Sequence, residues 1–395
     1  MDSPQTNSAR AGHYQAQPAG YRAFIPAPLP PNPPIRMTDG LQRLLSAADR
    51  ELGRLDGSVL TLPNPDLLVL MYVRKEAVLS SQIEGTQSSL QDLLSAESHL
   101  LSKSEAGDVG EVVNYVAAMK HGLSRLRELP VSVRLIREIH AELMRGVRGG
   151  NLAPGELRTT QNWTGAPGVG VPDASFVPPP PAEVPRALGQ LEEFLNASEA
   201  LPALITIGLA HAQFETIHPF LDGNGRVGRL LITFLLTQTG ILQKPVLYLS
   251  HYLKRHRRAY YEHLQAVRDE GDWESWLTFF LTGVGEVSAD AAETARRVLL
   301  MREVHRKAVT DRLGRAAANG HKVLESLFVR PIVSVDGIRK LTGTTYPAAN
   351  ALVARLVEIG VLSEITGQAR HRRFRYDPYI QLFIDGPSVT PADDS

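Results

Sequence analysis

The stretch His218-Pro219-Phe220-Leu221-Asp222-Gly223-Asn224-Gly225-Arg226-Val227-Gly228-Arg229 constrains this chain more than any other. Upstream, Leu201 to Ile217 reads as an apolar helix; downstream, Leu230 to Gln238 reads as another, with Gly240 as its stop. Between them Gly223, Gly225 and Gly228 are expected to let a loop turn tightly and approach a ligand. A loop that opens a helix presents unpaired N–H groups at the positive end of the helix dipole, which suits phosphate. Arg226 and Arg229 are three apart and can project from one side of the first turns, so a polyphosphate is the better match. His218 titrates near neutrality and is placed to act as general base. Asp222, a carboxylate beside polyphosphate, is placed to ligate Mg²⁺.

The stretch resembles the Fic signature, His-Pro-Phe-x-(Asp/Glu)-Gly-Asn-Gly-Arg-x-x-Arg, at every fixed position. The resemblance implies a mainly α protein in which the motif joins two helices of a small helical domain. It implies AMP transfer from ATP to a Ser, Thr or Tyr hydroxyl of a target protein, or of the chain itself, with His218 as base and Asp222 on Mg²⁺. Gly223, Asn224 and Gly225 would form the anion nest, Arg226 would bind the α/β-phosphates and Arg229 the γ-phosphate. Val227 and Gly228 fall within the same ATP site. A branch that phosphorylates instead carries Lys where this chain has Gly225, which disfavours kinase-type transfer.

Further upstream, Ser80-Ser81-Gln82-Ile83-Glu84-Gly85 fits the (Ser/Thr)-x-x-x-Glu-(Gly/Asn) inhibitory motif of the same family. Ser80 and Glu84 are four apart on one helical face, and Gly85 stands where a helix stops. The resemblance implies that Glu84 pairs with Arg229 and occupies the fork intended for the γ-phosphate, which places the chain in the class self-inhibited from its N-terminal side. A tyrosine lining the adenine pocket is expected at Tyr261, with Tyr252 and Tyr260 as weaker candidates. Ala174 to Pro180 resembles the flap over the Fic active site, where an edge strand near Phe176 would align the target segment by main-chain hydrogen bonds.

The rest of the chain sets the frame. The sequence of 395 residues is 43% hydrophobic and 21% charged, as a globular protein of two or three domains would be. Net charge is zero, so no global field steers it to nucleic acid or membrane. The absence of cysteine excludes disulfides, thiolate metal sites and a cysteine nucleophile. With no signal-type apolar segment and no uninterrupted apolar span, a cytoplasmic protein with no membrane partner is the default expectation.

In chain order, residues 1–37 read as a disordered leader of about twenty residues followed by a Pro-rich arm packed on the body. Residues 38–130 read as an N-terminal helical region: a helix from Thr38 or Asp39 to about Leu52, another from Leu67 to about Glu84 with Asp66 at its start, then Leu90 to Leu101 and Gly110 to Leu126. The catalytic domain is 131–284. It opens with a helix from Val131 to Met144, and an irregular region follows in which Gly155 to Arg158 is expected to pair with Val169 to Val177 as a hairpin. Ala182 to Asn196 follows, then the signature. His211, on the face of His218, is read as a hydrogen-bonded core histidine. Trp273 to Val284 closes the domain, residues 285–318 read as a charged connector helix, and 319–380 as a winged helix-turn-helix with basic residues Arg370, Arg372, Arg373 and Arg375 at its wing, for docking DNA or protein. Residues 381–395 read as a tail. A homodimer is expected. Two other readings stay open: a DNA-binding transcriptional regulator with a nucleotide-sensing Fic domain, and transfer of another phosphate-bearing group such as UMP or phosphocholine.

Overall fold

Side-chain caps start many of the helices. The hydroxyls of Ser89, Ser132, Ser334 and Thr345 and the carboxylate of Asp272 each accept a hydrogen bond from a backbone N–H in the helix that follows, and Ser89 completes a capping box with Asp92. The computed structural model describes residues 10–60, 62, 65–98, 108–150, 152–165, 168–197 and 201–384. Its elements run β1 (Gly12–Ala16), β2 (Arg22–Pro26), α1 (Asp39–Leu60), α2 (Pro65–Ile83), α3 (Leu90–Glu97), α4 (Val109–Arg125) and α5 (Val133–Leu143). They continue with α6 (Val184–Asn196), α7 (Ala203–Ile217), α8 (Asn224–Gln238), α9 (Ser250–Arg255), α10 (Arg257–Glu270) and α11 (Trp273–Leu313). Last come α12 (Ala317–Val329), β3 (Ile332–Ser334), α13 (Val335–Thr342), α14 (Tyr346–Glu358), β4 (Ser363–Glu364), β5 (Arg373–Arg375) and α15 (Asp377–Ile384). The mainly helical class is as expected, and among the described residues no helix is long and apolar enough to cross a membrane.

α7 and α8 form the centre. Both are buried almost all round, α7 from Leu204 to Ile217 and α8 from Val227 to Leu236, as helices enclosed by other helices must be. α4, α5 and α2 cover α8, while α6, α10 and α11 cover α7. α2 is itself enclosed: Leu68, Met71, Tyr72, Ala77, Val78 and Ile83 are buried as anticipated, but so are Lys75, Glu76 and Ser80. Buried polar groups on a helix require partners, and Ser80 finds its partner in Arg229 of α8.

Several elements depart from expectation. Residues 10–20 are not a disordered leader: β1 pairs antiparallel with β2, Arg10 is ion-paired with Glu274 at 2.9 Å, and the Tyr14 hydroxyl donates to Asp269. Residues 1–9 of the expected leader lie outside the described residues. α1 runs beyond Leu52 to Leu60, because Leu55 and Val59 extend its buried stripe along α11 and outweigh the exposed Gly53 and Gly57. α3 ends at Glu97, and the expected continuation to Leu101 falls outside the described residues after Ser98. The expected helix from residue 285 does not start there: among the described residues α11 is one helix of 41 residues from Trp273, with Ala291, Ala295 and Val298 buried and α1 packed alongside. Gly283 does not interrupt it, since the Tyr252 ring fills the space a side chain there would need.

Beyond α11, helices α12 to α14 carry a three-stranded antiparallel sheet of order β3-β5-β4. Residues 385–395 of the expected tail lie outside the described residues. Residues 377–384 form α15, whose Phe383 ring meets Tyr72 of α2 edge-on at 5.4 Å.

Close helix contact at Gly122 gives a test of this packing. A Cβ there would lie 2.3 Å from the Phe234 ring of α8. In an open helix Gly→Ala stabilises, by about 1 kcal/mol. Here Gly122→Ala is expected to destabilise by about 1–3 kcal/mol through overpacking, read as a lower urea midpoint; a higher midpoint would contradict the α4–α8 packing.

Candidate active site

α7 ends at His218, whose backbone is left-handed (φ 49°, ψ 61°), and the loop it opens is pinned from several sides. The Phe220 N–H donates to Asn224 Oδ1 and Asn224 Nδ2 donates back to the Phe220 carbonyl, both at 2.8 Å. Asn162 Nδ2 donates to the same carbonyl at 2.7 Å. Arg158 donates from Nε to the His218 carbonyl and from its backbone N–H to that of Pro219, each at 2.9 Å. His140 stacks on Phe220 with centroids 3.7 Å apart. Gly155 N–H donates to His140 Nδ1, so its Nε2 carries the proton and donates to the Asp222 carbonyl at 3.0 Å. Asn224 therefore braces the loop with its side chain. Gly155 to Arg158, expected in a hairpin with Val169 to Val177, instead clamps the signature loop.

The glycines divide by role. Gly223 has φ +80° and caps α8, which starts at Asn224, six residues earlier than expected. Gly225 and Gly228 lie inside α8 and do not turn the chain. A Cβ on Gly225 would sit 2.2 Å from Glu84 Oε1, and one on Gly228 2.3 Å from Glu215 Oε1. They are glycine to admit two carboxylates. The Gly223 N–H, expected in the nest, is engaged by Asp222 Oδ1 at 2.6 Å.

The two arginines are held differently. Arg226 Nη1 donates to Glu111 Oε2 of α4 at 2.9 Å, with both side chains almost fully buried, and its Nη2 lies 3.6 Å from Asp222 Oδ1. Arg229 donates from Nε to Ser80 Oγ at 2.8 Å, and from Nη2 to the Ser80 carbonyl at 3.0 Å and Glu84 Oε1 at 2.6 Å. Burial pushes the Glu84 carboxyl up, but the charge and hydrogen bond of Arg229, with Arg226 and His218 adding, outweigh it and hold it below the usual range. Gly85, at φ +98°, ends α2 as expected.

A cavity of about 650 Å³ opens over this clamp, lined by Glu84, Trp163, His218, Arg229, Tyr261 and Arg268 among others. Gly225 borders it, whereas Asp222, Gly223, Asn224, Arg226, Val227 and Gly228 do not. The Val227 side chain is core and Gly228 faces Glu215, so neither meets a ligand in the cavity through a side chain. Tyr261 stands at the rim, 43% exposed, while Tyr260 is buried with its hydroxyl 2.9 Å from His211 Nε2, and Tyr252 is buried against Phe279. His211 is the expected core histidine: Nδ1 meets the Gly228 carbonyl at 3.0 Å, and burial pushes it down to about 4.

Burial, with repulsion from Arg268 and Arg158, pushes His218 down to about 4. Its Nδ1 lies 3.4 Å from the Glu215 carbonyl, a weak acceptor that leaves the Nε2 lone pair for the cavity. Glu215 is buried, its Oε1 has no hydrogen-bond partner among the described residues, and burial pushes its carboxyl up to about 7. Above the site, Phe176 exchanges both backbone hydrogen bonds with Thr164, and the Val177 carbonyl accepts from Phe24 N–H of β2. The peptide groups of Phe176 are thus already paired. Among the described residues no cluster of three or more acidic or histidine side chains is built for a metal ion. Asp222, 40% exposed beside the start of α8, is a single carboxylate.

Sequence reasoning missed Glu111, His140, Arg158, Asn162 and Glu215. Each comes from another helix or loop or lies buried, and none carries a local pattern of its own. His-Pro signals a loop, but not which distant side chains hold it.

The chain is similar in sequence and fold to known proteins. Residues 42–124 match the family described as Fic/DOC family N-terminal, and residues 130–236 match the Fic/DOC family. The protein adenylyltransferase Fic of Drosophila grimshawi is 30% identical over 175 residues, covering 43% of this chain and 32% of that protein. That of Culex quinquefasciatus is 31% identical over 176 residues, covering 43% and 31%. The chain thus spans about a third of the length of the curated relatives it matches. A Fic family protein from Desulfovibrio desulfuricans G20 shares the fold with a TM-score of 0.57 at 20% identity, over 87% of this chain and 97% of that one.

The electrostatics of His218 are directly testable. NMR titration of its ring in the free protein is expected to give a midpoint near 4 rather than 6.5, so the basic form persists down to that pH and is lost only below it. A midpoint at 6.5 or above would mean that the ring is not desolvated in the folded protein.

Proposed function

Since this chain belongs to the Fic/DOC family, we propose that it is a protein adenylyltransferase that moves AMP from ATP to a Ser, Thr or Tyr hydroxyl and is held inactive by α2. The observation that carries this reading is the three-bond clamp of Arg229 by Ser80 and Glu84 on the wall of the His218 cavity.

In the reaction the target oxygen attacks the α-phosphorus in line. The new O–P bond forms as the α–β bridging bond breaks, and the electron pair leaves with pyrophosphate. His218 Nε2, neutral at physiological pH, takes the hydroxyl proton; such a base contributes about 10²- to 10⁴-fold. N–H groups at the start of α8 and Arg226, fixed by Glu111, stabilise charge on the transferring phosphate. Arg229 binds the distal phosphate once Glu84 withdraws. Until then the carboxylate occupies the guanidinium and repels the phosphate. Tyr261 borders the space for the base, and Gly225 leaves no lysine to redirect transfer.

Asp222 fits Mg²⁺ as a single, partly exposed carboxylate, the donor set of an ion carried mainly by phosphate oxygens and water. Bound there, the ion would neutralise phosphate charge. Since the peptide groups of Phe176 are paired, a target segment on the flap would be aligned by its neighbours.

We assign residues 38–130 to the inhibitory helical region and 131–284 to the catalytic domain. The elements from α12 to β5 form a winged helix-turn-helix in this reading. Its wing offers Arg370 and Arg373 to a partner, while Arg372 is bonded to Asn350 at 2.6 Å and Arg375 is paired with Asp377.

Transfer of labelled α-phosphate from ATP tests the reading. Glu84→Gly is expected to label strongly and wild type weakly, with Ser80→Ala between them because it removes one of three bonds. Adding His218→Ala to Glu84→Gly is expected to cost about 10²- to 10⁴-fold. Equal labelling of wild type and Glu84→Gly would remove the inhibitory role. Silence from every variant, with ATP bound, would redirect the search to another donor.

A further inference from the structure

The face of α2 turned away from Arg229 borders a second cavity. Lys75, Leu79 and Gln82, at helical spacing, form one wall; Leu90 of α3, His251 of α9 and Phe383 of α15 close it around about 290 Å³. That is close to the lower size of small-molecule pockets, about 300 Å³. Its lining is chiefly apolar and contains no aspartate or glutamate.

Lys75 is the single ionised group in this lining. The residue is 8% exposed, and its ammonium sits 4.3 Å above the centroid of the Tyr248 ring. Among the described residues it forms no ion pair; Asp290 is near enough to favour its charge but not to bond it. Burial lowers Lys75 to about 8, so it remains charged at neutral pH. Burial and nearby cations push His251 down to about 4, which leaves it a neutral hydrogen-bonding group. An aromatic face offsets part of the cost of a desolvated ammonium, and an anion seated on it would supply both a hydrogen-bond acceptor and the opposite charge.

We propose that this cavity binds a small organic monoanion with an apolar body, its anionic group on Lys75 and its body between Leu90 and Phe383. One cation and apolar walls match a single carboxylate or sulfonate and disfavour a polyphosphate. The ligand would tie α2 to α3, α9 and α15. Gln82, at the wall, already links α2 to the Ser88 carbonyl at 2.8 Å and to Lys254 at 2.7 Å. A ligand that fits the cavity formed with α2 in place favours that arrangement over one with α2 displaced, and so strengthens the Glu84 clamp. This last step rests on the adenylyltransferase reading; the binding site does not.

Calorimetric titration of the full chain with 1-naphthoate, beside the neutral 1-naphthalenemethanol, tests the site. Saturable one-to-one binding of naphthoate is expected, about tenfold or more tighter than the alcohol and about tenfold or more weaker in Lys75→Met, as befits a charge-assisted hydrogen bond. Methyl NMR shifts are expected at Val78, Leu79 and Leu90. Lack of saturable binding, equal affinity for the two probes, unchanged affinity in Lys75→Met, or shifts confined to other methyls would each overturn the proposal. The two-probe comparison needs no variant, so it decides even if Lys75→Met fails to fold. In the labelling assay naphthoate is expected to lower wild-type transfer as it saturates and to leave Lys75→Met unaffected; increased transfer would overturn the coupling to the clamp. If Glu84→Gly does not label at all, the adenylyltransferase reading fails while the titration still decides the site.

Discussion

The guanidinium of Arg229 is the point on which the molecule turns. It is 2% exposed, it sits where α8 meets α2, and its hydrogen bonds to Ser80 and Glu84 fasten the two helices together. A buried charge must be paired, so either α2 supplies the carboxylate or a ligand supplies an anion. That exclusivity lets the same guanidinium either join two helices or meet an anion, but not both. The polar stripe of α2 extends it: Glu76, one turn before Ser80, accepts from Ser250 Oγ at 2.5 Å and from the Tyr115 hydroxyl at 3.3 Å, and burial pushes its carboxyl up to about 7. Breaking the clamp therefore disturbs contacts that reach α4 and α9.

The remainder of the site is an exercise in room and restraint. Gly225 and Gly228 leave space for Glu84 and Glu215, while Arg158, Asn162 and Asn224 spend their hydrogen bonds on the carbonyls of the signature loop. The left-handed backbone at His218 is held by these contacts, so the imidazole is presented by a rigid frame.

Much of this was legible in the residues. His218, Asp222, Arg226, Arg229, Ser80 and Glu84 lie in two short motifs whose spacing carries chemistry, and α2, α4, α5, α6 and α7 follow from apolar periodicity. What escaped was set by tertiary contact. The first helix is expected from sequence to stop near Leu52, whereas packing on α11 carries it past the exposed glycines at 53 and 57, and charge along residues 285–313 concealed an apolar stripe that α1 covers. Polar, small residues near the N-terminus concealed a hairpin whose order comes from Glu274 and Asp269 far along the chain. Glu111, the buried partner of Arg226, comes from α4, and nothing near Arg226 in sequence announces it.

The unbroken α11 has a mechanical meaning. At about 1.5 Å per residue its 41 residues form a strut about 60 Å long, with one end, which carries Trp276, packed on α7 and the other against α12. A helix carries torque where a loop would absorb it. Whatever engages the C-terminal elements therefore acts on the helices around α7 through a stiff lever, with α1 alongside as its splint.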